Sequence, residues 1–98
     1  MSGRLAGKSA LVTGAASGFG AAIAERYAAQ GARVLIADLN FEGAKAVAGR
    51  VRGEALVCDV ADRVSVAAAV RHGVARFGRI DIVVNTPASR TPTSLPVP

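Results

Sequence analysis

Short apolar runs alternate with stretches of helical periodicity along most of the chain. Runs such as SALVT and IDIVV are short and apolar, which is typical of buried strands. The stretches between them repeat apolar residues every three or four positions, which indicates amphipathic helices. The predicted order is strand 9–13, helix 18–30, strand 32–38, helix 41–52, strand 54–60, helix 63–77 and strand 80–84.

Each predicted helix has one apolar stripe and residues suited to its ends. Asn40 and Asp62 are predicted N-caps of the second and third helices, and Gly31 and Gly78 are predicted to end the first and third. The stripes comprise Phe19, Ile23 and Tyr27 with Ala22, Ala24 and Ala28 in the first helix, Phe41, Ala44, Val47 and Val51 in the second, and Val66, Val70, Gly73 or Val74, and Phe77 in the third.

This alternation predicts an α/β fold. Strands that are apolar throughout and separated by amphipathic helices indicate a parallel sheet covered on both faces. With right-handed crossovers, residues 1–85 form part of a Rossmann-type doubly wound domain of four strands in the order 3-2-1-4 and three helices. The tail, residues 86–98, has no acidic residue, no periodicity and all four prolines of the chain, so it is predicted to be disordered.

A glycine-rich segment between the first strand and the first helix carries the clearest chemical signal. It is TGAASGFG, residues 13–20, called the glycine loop below. Gly14 would allow a tight turn, Gly18 would let the backbone approach a pyrophosphate, and Gly20 would let the helix pack closely. The N-terminus of the helix would then offer free N–H groups to an anion. Its place inside a β-α-β unit indicates dinucleotide binding.

Asp38 supports the same interpretation. It ends the second strand, 18 residues after Gly20, where a carboxylate can accept hydrogen bonds from the ribose hydroxyls of adenosine. The same charge would repel a 2′-phosphate, and Ser17, not a basic residue, precedes Gly18. Both features favour NAD over NADP.

The overall charge and other motifs change this interpretation little. The net charge is +5, but the basic residues are scattered and no aromatics lie among them, so nucleic acid is not an expected partner. The sequence GKS at 7–9 precedes a strand and therefore does not fit a P-loop. One cysteine, Cys58, excludes an internal disulfide and fits a reducing cytoplasm. No signal peptide, membrane-spanning segment or metal-ligand spacing is predicted.

With these residues assembled, the chain resembles the short-chain dehydrogenase/reductase family over residues 4–85. KSALVTGAASGFG resembles the family's cofactor loop, T-G-x-x-x-G-x-G. CDV at 58–60 resembles the segment that follows the third strand, and GRIDIVVN resembles the approach to the family's N-N-A-G motif. The resemblance implies that Asp59 contacts the adenine amino group and that Val60 lines the adenine pocket. The expected cofactor site comprises Thr13, Gly14, Ser17, Gly18, Phe19, Gly20, Asp38, Leu39, Asp59, Val60 and Asn85.

The resemblance stops after Asn85, where Thr86, Pro87 and Ala88 replace the rest of N-N-A-G. Codons for the residues after Asn85, read one base out of frame, can spell Asn-Ala-Gly-Ile-Thr-His-Pro. We therefore hypothesise that residues 86–98 result from a one-base deletion. The family's catalytic Asn, Ser, Tyr and Lys would fall beyond this chain, so no catalytic residue is predicted in it.

Four further residues are of types that often act in functional sites, but no functional role is expected for them here. Tyr27 is the only tyrosine, lies on the inner stripe and lacks the lysine of the family's Tyr-x-x-x-Lys pair, since Gly31 follows at that spacing. Cys58 is expected in the core, His72 on the surface, and Asp81 as a solvated or capping residue.

Three functional hypotheses remain open. The chain derives from an NAD-dependent oxidoreductase that moves hydride between nicotinamide and an alcohol or ketone, as the resemblance implies. Alternatively, it is a module that binds the adenosine half of NAD without turnover. In the third hypothesis it is an unstable product, because its fourth strand would be an exposed edge. The resemblance also implies a small-molecule substrate and a homo-oligomer for the full-length form.

Overall fold

The computed structural model describes residues 3–16 and 18–85 of the chain. Ser17 and the tail, residues 86–98, with its predicted disorder, lie outside the described residues. The described part forms β1 (Ser9–Thr13), α1 (Gly18–Ala29), β2 (Arg33–Asp38), α2 (Phe41–Val51), β3 (Glu54–Val57), α3 (Arg63–Phe77) and β4 (Ile82–Asn85). Every predicted element is present, although β3 ends three residues before its predicted end at residue 60 and β4 begins two residues after its predicted start.

The described strands form one parallel sheet in the order β3-β2-β1-β4. Leu11 in β1 lies opposite Leu35 in β2 and Val83 in β4. The order confirms the predicted doubly wound arrangement. The chain builds outward from β1 to β3 and then returns to β4 on the other side of β1. In such sheets, ligands bind at the carboxyl ends of the strands, where the order reverses.

Two apolar layers cover the two faces of the central strands. Successive residues of a strand point to opposite faces, so Val12 and Ile36 meet one layer and Leu11 and Leu35 meet the other. The first layer includes Ala24 of α1 and Ala44, Val47 and Ala48 of α2. The second includes Cys58, Ala69 and, at its margin, Val66, Val70 and Phe77 of α3. The predicted core position of Cys58 is therefore confirmed.

The edge strands are more exposed than the prediction of strands buried on both faces allows. Val57 in β3 is 55% exposed and Val83 in β4 is 51% exposed, whereas β1 is buried throughout. Val83 lies beside Leu11 on the α3 face, but α3 packs over β1 and β2. Among the described residues, α3 is the helix on this face, and it covers the central strands while leaving β4 partly open.

The predicted inner stripe of α1 is wrong at its first turn. Phe19 is 80% exposed, and Ala22 is also exposed. The residues that face inward are small: Gly20, Ala21 and Ala24 are buried, and Ile23, Tyr27 and Ala28 are partly buried. A Cβ atom at Gly20 would lie only 2.5 Å from the carbonyl oxygen of Gly14. Close packing against the glycine loop therefore turns Gly20 inward and Phe19 toward solvent.

The other two helices show the same preference for small residues at their closest contacts. Phe41 is 38% exposed, so it does not belong to the buried stripe of α2. In α3, Gly73 is buried and Val74 is 44% exposed, which resolves the alternative that the sequence left open. A Cβ atom at Gly73 would lie 2.6 Å from Cδ1 of Ile80. The helix can approach the sheet at this position because glycine has no side chain.

The predicted caps are present. The side chain of Asn40 accepts a hydrogen bond from the N–H of Gly43 at 3.0 Å, and that of Asp62 accepts one from Val64 at 2.9 Å. Gly31 and Gly78 take positive φ angles of 97° and 91° after α1 and α3. The N-caps set where α2 and α3 begin, at the carboxyl edge of the sheet, and the two glycines set where α1 and α3 end, at its amino edge.

Candidate cofactor-binding site

The candidate site lies at the carboxyl ends of the strands. Thr13 ends β1, Asp38 ends β2 and Asn85 ends β4, and the glycine loop follows β1 directly. Parallel strands place these ends at one edge of the sheet. Asp59 and Val60 follow the end of β3 at the same edge, where the N–H of Cys58 donates to the carbonyl oxygen of Asp38 at 3.2 Å.

The glycine loop turns sharply into α1. Gly14 has a φ of 66° and its N–H donates to the carbonyl oxygen of Ala37 at 2.8 Å, which ties the start of the loop to β2. Gly18 begins α1 with a φ of 64°. Residues other than glycine rarely adopt such backbone angles. The predicted tight turn at Gly14 and the close packing at Gly20 are confirmed as conformational features, while Ser17 lies outside the described residues.

The start of α1 fits an anionic group. No other described atom, apart from the neighbours in the chain, lies within 4 Å of a Cβ position built on Gly18, and this residue is exposed. The first turn of α1, among the described residues, carries no acidic side chain. The first N–H groups of a helix lack partners within the helix, and the dipole makes this end positive. The residues present therefore fit a pyrophosphate that binds through backbone amides.

Asp38 is buried and bonded to the backbone on two sides. It is 2% exposed. One carboxylate oxygen accepts a hydrogen bond from the N–H of Ala16 at 3.0 Å, and the other accepts one from the N–H of Asn40 at 2.9 Å. The carboxylate thus joins the glycine loop to the connection between β2 and α2. Asp38 lies at the predicted position, the end of β2. It is buried there and hydrogen-bonded to the backbone, not exposed to solvent.

Thr13 and Asn85 meet across the sheet. The hydroxyl of Thr13 donates to Oδ1 of Asn85 at 2.5 Å and lies 3.3 Å from the carbonyl oxygen of Val84. Thr13 is fully buried, so its side chain holds the ends of β1 and β4 together. A role for either residue in contacting the cofactor stays a prediction.

The residues expected around adenine occupy the β3 side of this edge. Asp59 is half-buried in a turn, where its carboxylate accepts the N–H of Ala61 at 3.0 Å and its own N–H donates to Oγ of Ser65 at 2.9 Å. Val60 is half-buried and Leu39 is 48% exposed. Apolar surface and a turn carboxylate therefore stand beside the end of β2.

Three residues that support the site were not among its predicted members. Ala16 and Asn40 are hydrogen-bonded to Asp38, and Gly43 packs against Ala16, since a Cβ atom at Gly43 would lie 2.9 Å from that of Ala16. The N-cap signal had located Asn40 correctly. The contact between Gly43 and Ala16 joins residues distant in sequence and leaves no local pattern.

The ion pairs that shift pKa values lie away from this edge. Hydrogen bonds from Arg79 and from the N–H of Ser9 lower the pKa of Asp81, which precedes β4. A hydrogen bond from Arg76 lowers the pKa of Glu54, the first residue of β3. Both carboxylates thus stand near the amino ends of strands. His72 lies on α3 with Nε2 3.6 Å from Oε1 of Glu54.

Neither a metal centre nor a membrane span is found in the part of the chain that the structure describes. Residues 3–16 and 18–85 contain no group of three or more His, Cys, Asp and Glu side chains that could hold a metal ion. Over the same ranges, no helix is long and apolar enough to cross a membrane.

Comparison with known proteins decides the family. The family model described as short chain dehydrogenase matches residues 8–94. The chain belongs to the short-chain dehydrogenase/reductase family. The sequence is 57% identical over 88 residues to D-threitol dehydrogenase of Mycolicibacterium smegmatis, covering 85% of the chain and 34% of that protein. It is 47% identical over 87 residues to sorbitol dehydrogenase of Cereibacter sphaeroides, covering 87% of the chain and 34% of that protein.

A solved structure agrees. The 3-ketoacyl-(acyl-carrier-protein) reductase of Brucella melitensis, complexed with NADH, superimposes with a TM-score of 0.76 at 43% identity, covering 81% of the chain and 33% of that protein. The family and the Rossmann-type fold expected from the sequence are confirmed, and the family implies a nicotinamide cofactor. The chain spans about a third of the length of these relatives.

Proposed function

We propose that the chain binds NAD, with the pyrophosphate at the glycine loop and the adenosine along the carboxyl ends of β2 and β3. The observation that carries this proposal is the open backbone at Gly18, at the positive end of α1 and at the edge where the order of the strands reverses. The family membership supports a nicotinamide cofactor at this edge.

The remaining predicted residues would surround the adenosine half. The ribose hydroxyls would donate to Asp38, and the adenine would lie against Leu39 and Val60, with its amino group donating to Asp59. Thr13 and Asn85 would hold the floor of the site through their mutual hydrogen bond. Phe19 would present its backbone, since its side chain is turned to solvent, and Ser17 completes the loop in sequence.

NAD is proposed in preference to NADP. A 2′-phosphate would have to sit close to the carboxylate of Asp38, which is buried and already bonded to two backbone N–H groups. A carboxylate held in this way cannot turn aside easily to relieve the repulsion between like charges. The ribose hydroxyls of NAD avoid this repulsion and act as donors.

The whole protein is proposed to be an oxidoreductase acting on an alcohol or ketone. Bound NAD would supply the hydride chemistry, and the residues of this chain would bind and orient its adenosine end. The named relatives include D-threitol and sorbitol dehydrogenases, which supports a polyol or a related alcohol as the class of substrate. We propose a cytoplasmic location, which fits the single buried thiol of Cys58.

The chain alone is proposed to bind NAD without turning over a substrate. Its only tyrosine, Tyr27, lies in the last turn of α1 and packs against the core. At the spacing where the family's lysine would follow, the chain has Gly31. This is the second candidate function, a binding module. The exposed Val83 on the edge strand β4 favours the third hypothesis, low stability, and the same experiment distinguishes the two.

The test is a titration of the purified chain with NAD, NADP, ADP-ribose and inorganic phosphate. Calorimetry measures the affinity for each ligand, and thermal unfolding measures how far each one raises the unfolding temperature. We expect NAD and ADP-ribose to raise the unfolding temperature alike, because the contacts lie in the adenosine and pyrophosphate half, and NADP to raise it less. A folded chain that NAD does not stabilise would contradict the proposal. Turnover of a secondary alcohol by the chain would contradict the proposed inactivity.

A further inference from the structure

The first turn of α2 packs directly against the glycine loop, and a glycine makes this contact possible. A Cβ atom built on Gly43 would lie 2.9 Å from Cβ of Ala16 and 2.7 Å from Nδ2 of Asn40. Contacts below 3.0 Å are essentially never seen for real Cβ atoms. The space that a side chain at position 43 would need is therefore already filled by the loop and by the N-cap of the helix.

Ala16 is held on another side by Asp38. The N–H of Ala16 donates to a carboxylate oxygen of Asp38 at 3.0 Å, and Asp38 is buried. Cβ of Ala16 is joined directly to the backbone and cannot rotate away. A larger residue at position 43 could displace Ala16 only by moving the loop backbone and straining its bond to Asp38.

The second short contact, with Nδ2 of Asn40, is also costly to relieve. Oδ1 of Asn40 accepts the N–H of Gly43 at 3.0 Å, and the N–H of Asn40 donates to the second carboxylate oxygen of Asp38 at 2.9 Å. Moving the Asn40 side chain would break the N-cap of α2. Gly43, Asn40, Asp38 and Ala16 therefore form one connected set, which we call the loop anchor.

We propose that Gly43 is a positioning residue for the cofactor: the absence of its side chain lets α2 hold Ala16, and through it the glycine loop, where the backbone at Gly18 can receive the pyrophosphate. The inference rests on the proposed function, in that the loop is taken to bind the pyrophosphate. Ala16 lies two residues before Gly18, so a displacement at the anchor reaches the start of α1 within the same loop.

A purely helical role for Gly43 predicts the opposite result. Alanine is a better helix former than glycine, so without the contact Gly43→Ala would stabilise α2. Gly49 provides the matched control, because it lies in the same helix and is exposed. Apart from its chain neighbours and the backbone of its own helix, no described atom lies within 4 Å of a Cβ position built on it. Gly49→Ala is expected to raise stability and to leave NAD affinity unchanged.

The experiment is a double-mutant cycle on the chain, with NAD affinity measured by calorimetry. We expect Gly43→Ala to weaken NAD binding about tenfold, the effect of roughly one net hydrogen bond, and to weaken ADP-ribose equally. Ala16→Gly removes the clashing atom from the loop. In that background, adding Gly43→Ala should change the affinity less than about twofold, since the contact with the glycine loop is gone and only the contact with the Asn40 side chain, at the N-cap of α2, remains.

A second measurement needs no cofactor. Hydrogen exchange of the Ala16 amide, which is bonded to Asp38, should become faster in Gly43→Ala, remain unchanged in Gly49→Ala and slow again in the double variant relative to Gly43→Ala alone. If Gly43→Ala does not fold, the cycle is repeated in the Gly49→Ala background, where α2 is strengthened.

The outcomes separate the two proposals. If the original chain does not bind NAD, the proposed function fails, and the exchange of the Ala16 amide alone decides whether the anchor exists. If the original chain binds NAD and Gly43→Ala binds it equally well, the positioning role is overturned while the proposed function stands. A loss of affinity that persists in the Ala16→Gly background would also overturn it, because the Ala16 contact would then not be the cause.

Discussion

Asp38 combines two tasks that sequence analysis treats as one. Its place at the end of β2 marks it as a partner for ribose hydroxyls, and the proposed function keeps that role. In the folded chain the same carboxylate accepts N–H groups of Ala16 and Asn40, so it also shapes the loop expected to hold the pyrophosphate. Removing it should therefore disturb both the proposed ribose contacts and the loop expected to hold the pyrophosphate.

At this position we expect Asp38→Ala to weaken NAD binding roughly 10- to 100-fold, the range for lost hydrogen bonds to a charged group. NADP should lose less, because the repulsion of its 2′-phosphate disappears together with the carboxylate. The ratio of NADP to NAD dissociation constants, measured by calorimetry, should therefore fall toward one.

Asp62→Ala is the matched control for this substitution. Asp62 is also a carboxylate bonded to a backbone N–H, but it caps α3. Its loss should lower the free energy of unfolding by about 1 kcal/mol and leave the ratio of the two dissociation constants unchanged. An unchanged ratio in Asp38→Ala as well would contradict the proposed discrimination.

At the scale of elements, the sequence predicts what depends on local periodicity and misses what depends on contact between elements. The order of strands and helices, the caps at Asn40 and Asp62 and the parallel sheet follow from patterns only a few residues long. The orientation of α1 does not, because it depends on how closely Gly20 approaches the backbone of Gly14. The recurrence of large apolar residues every four positions placed Phe19 in the core, whereas the residues that pack closely are Gly20, Ala21 and Ala24.

The central strand β1 contains two buried hydroxyls that should behave oppositely. Within the described residues, Oγ of Ser9 has no hydrogen-bond partner, whereas the hydroxyl of Thr13 is bonded to Asn85. Ser9→Ala removes a buried polar atom that gains nothing from folding. Thr13→Val keeps the shape but leaves Oδ1 of Asn85 without this donor.

We expect Ser9→Ala to leave the free energy of unfolding unchanged or to raise it by up to about 1 kcal/mol, and Thr13→Val to lower it by about 1–2 kcal/mol. Urea unfolding of the two variants and the original chain measures both values, with equal slopes required for the comparison. A clear loss of stability in Ser9→Ala would mean that its hydroxyl has a partner in solution.

In the molecule as a whole, β1 and β4 pair although the residues opposite one another are 72 positions apart in sequence. A polar contact lies at each end of this pair of strands. Thr13 bonds to Asn85 at the carboxyl end, over a separation of 72 residues. At the amino end, the N–H of Ser9 donates to Asp81 at 2.9 Å, over the same separation. Sequence analysis expected Asp81 to be a solvated or capping residue, because no local pattern reveals a partner so distant.

The contact at Asp81 makes the stability of the whole fold depend on pH in a defined direction. Hydrogen bonds from Arg79 and from Ser9 lower the pKa of Asp81 below its ordinary value of 3.8. A carboxylate whose pKa is lowered by folding stabilises the folded state above its ordinary pKa, and this contribution is lost as the pH falls through the lowered pKa.

We therefore expect Asp81→Asn to be less stable than the original chain at pH 6, and the difference to shrink progressively as the pH falls below 3.8. Urea midpoints of both proteins between those conditions provide the measurement. A difference that stays constant over the whole range would contradict a contribution from the charge of Asp81.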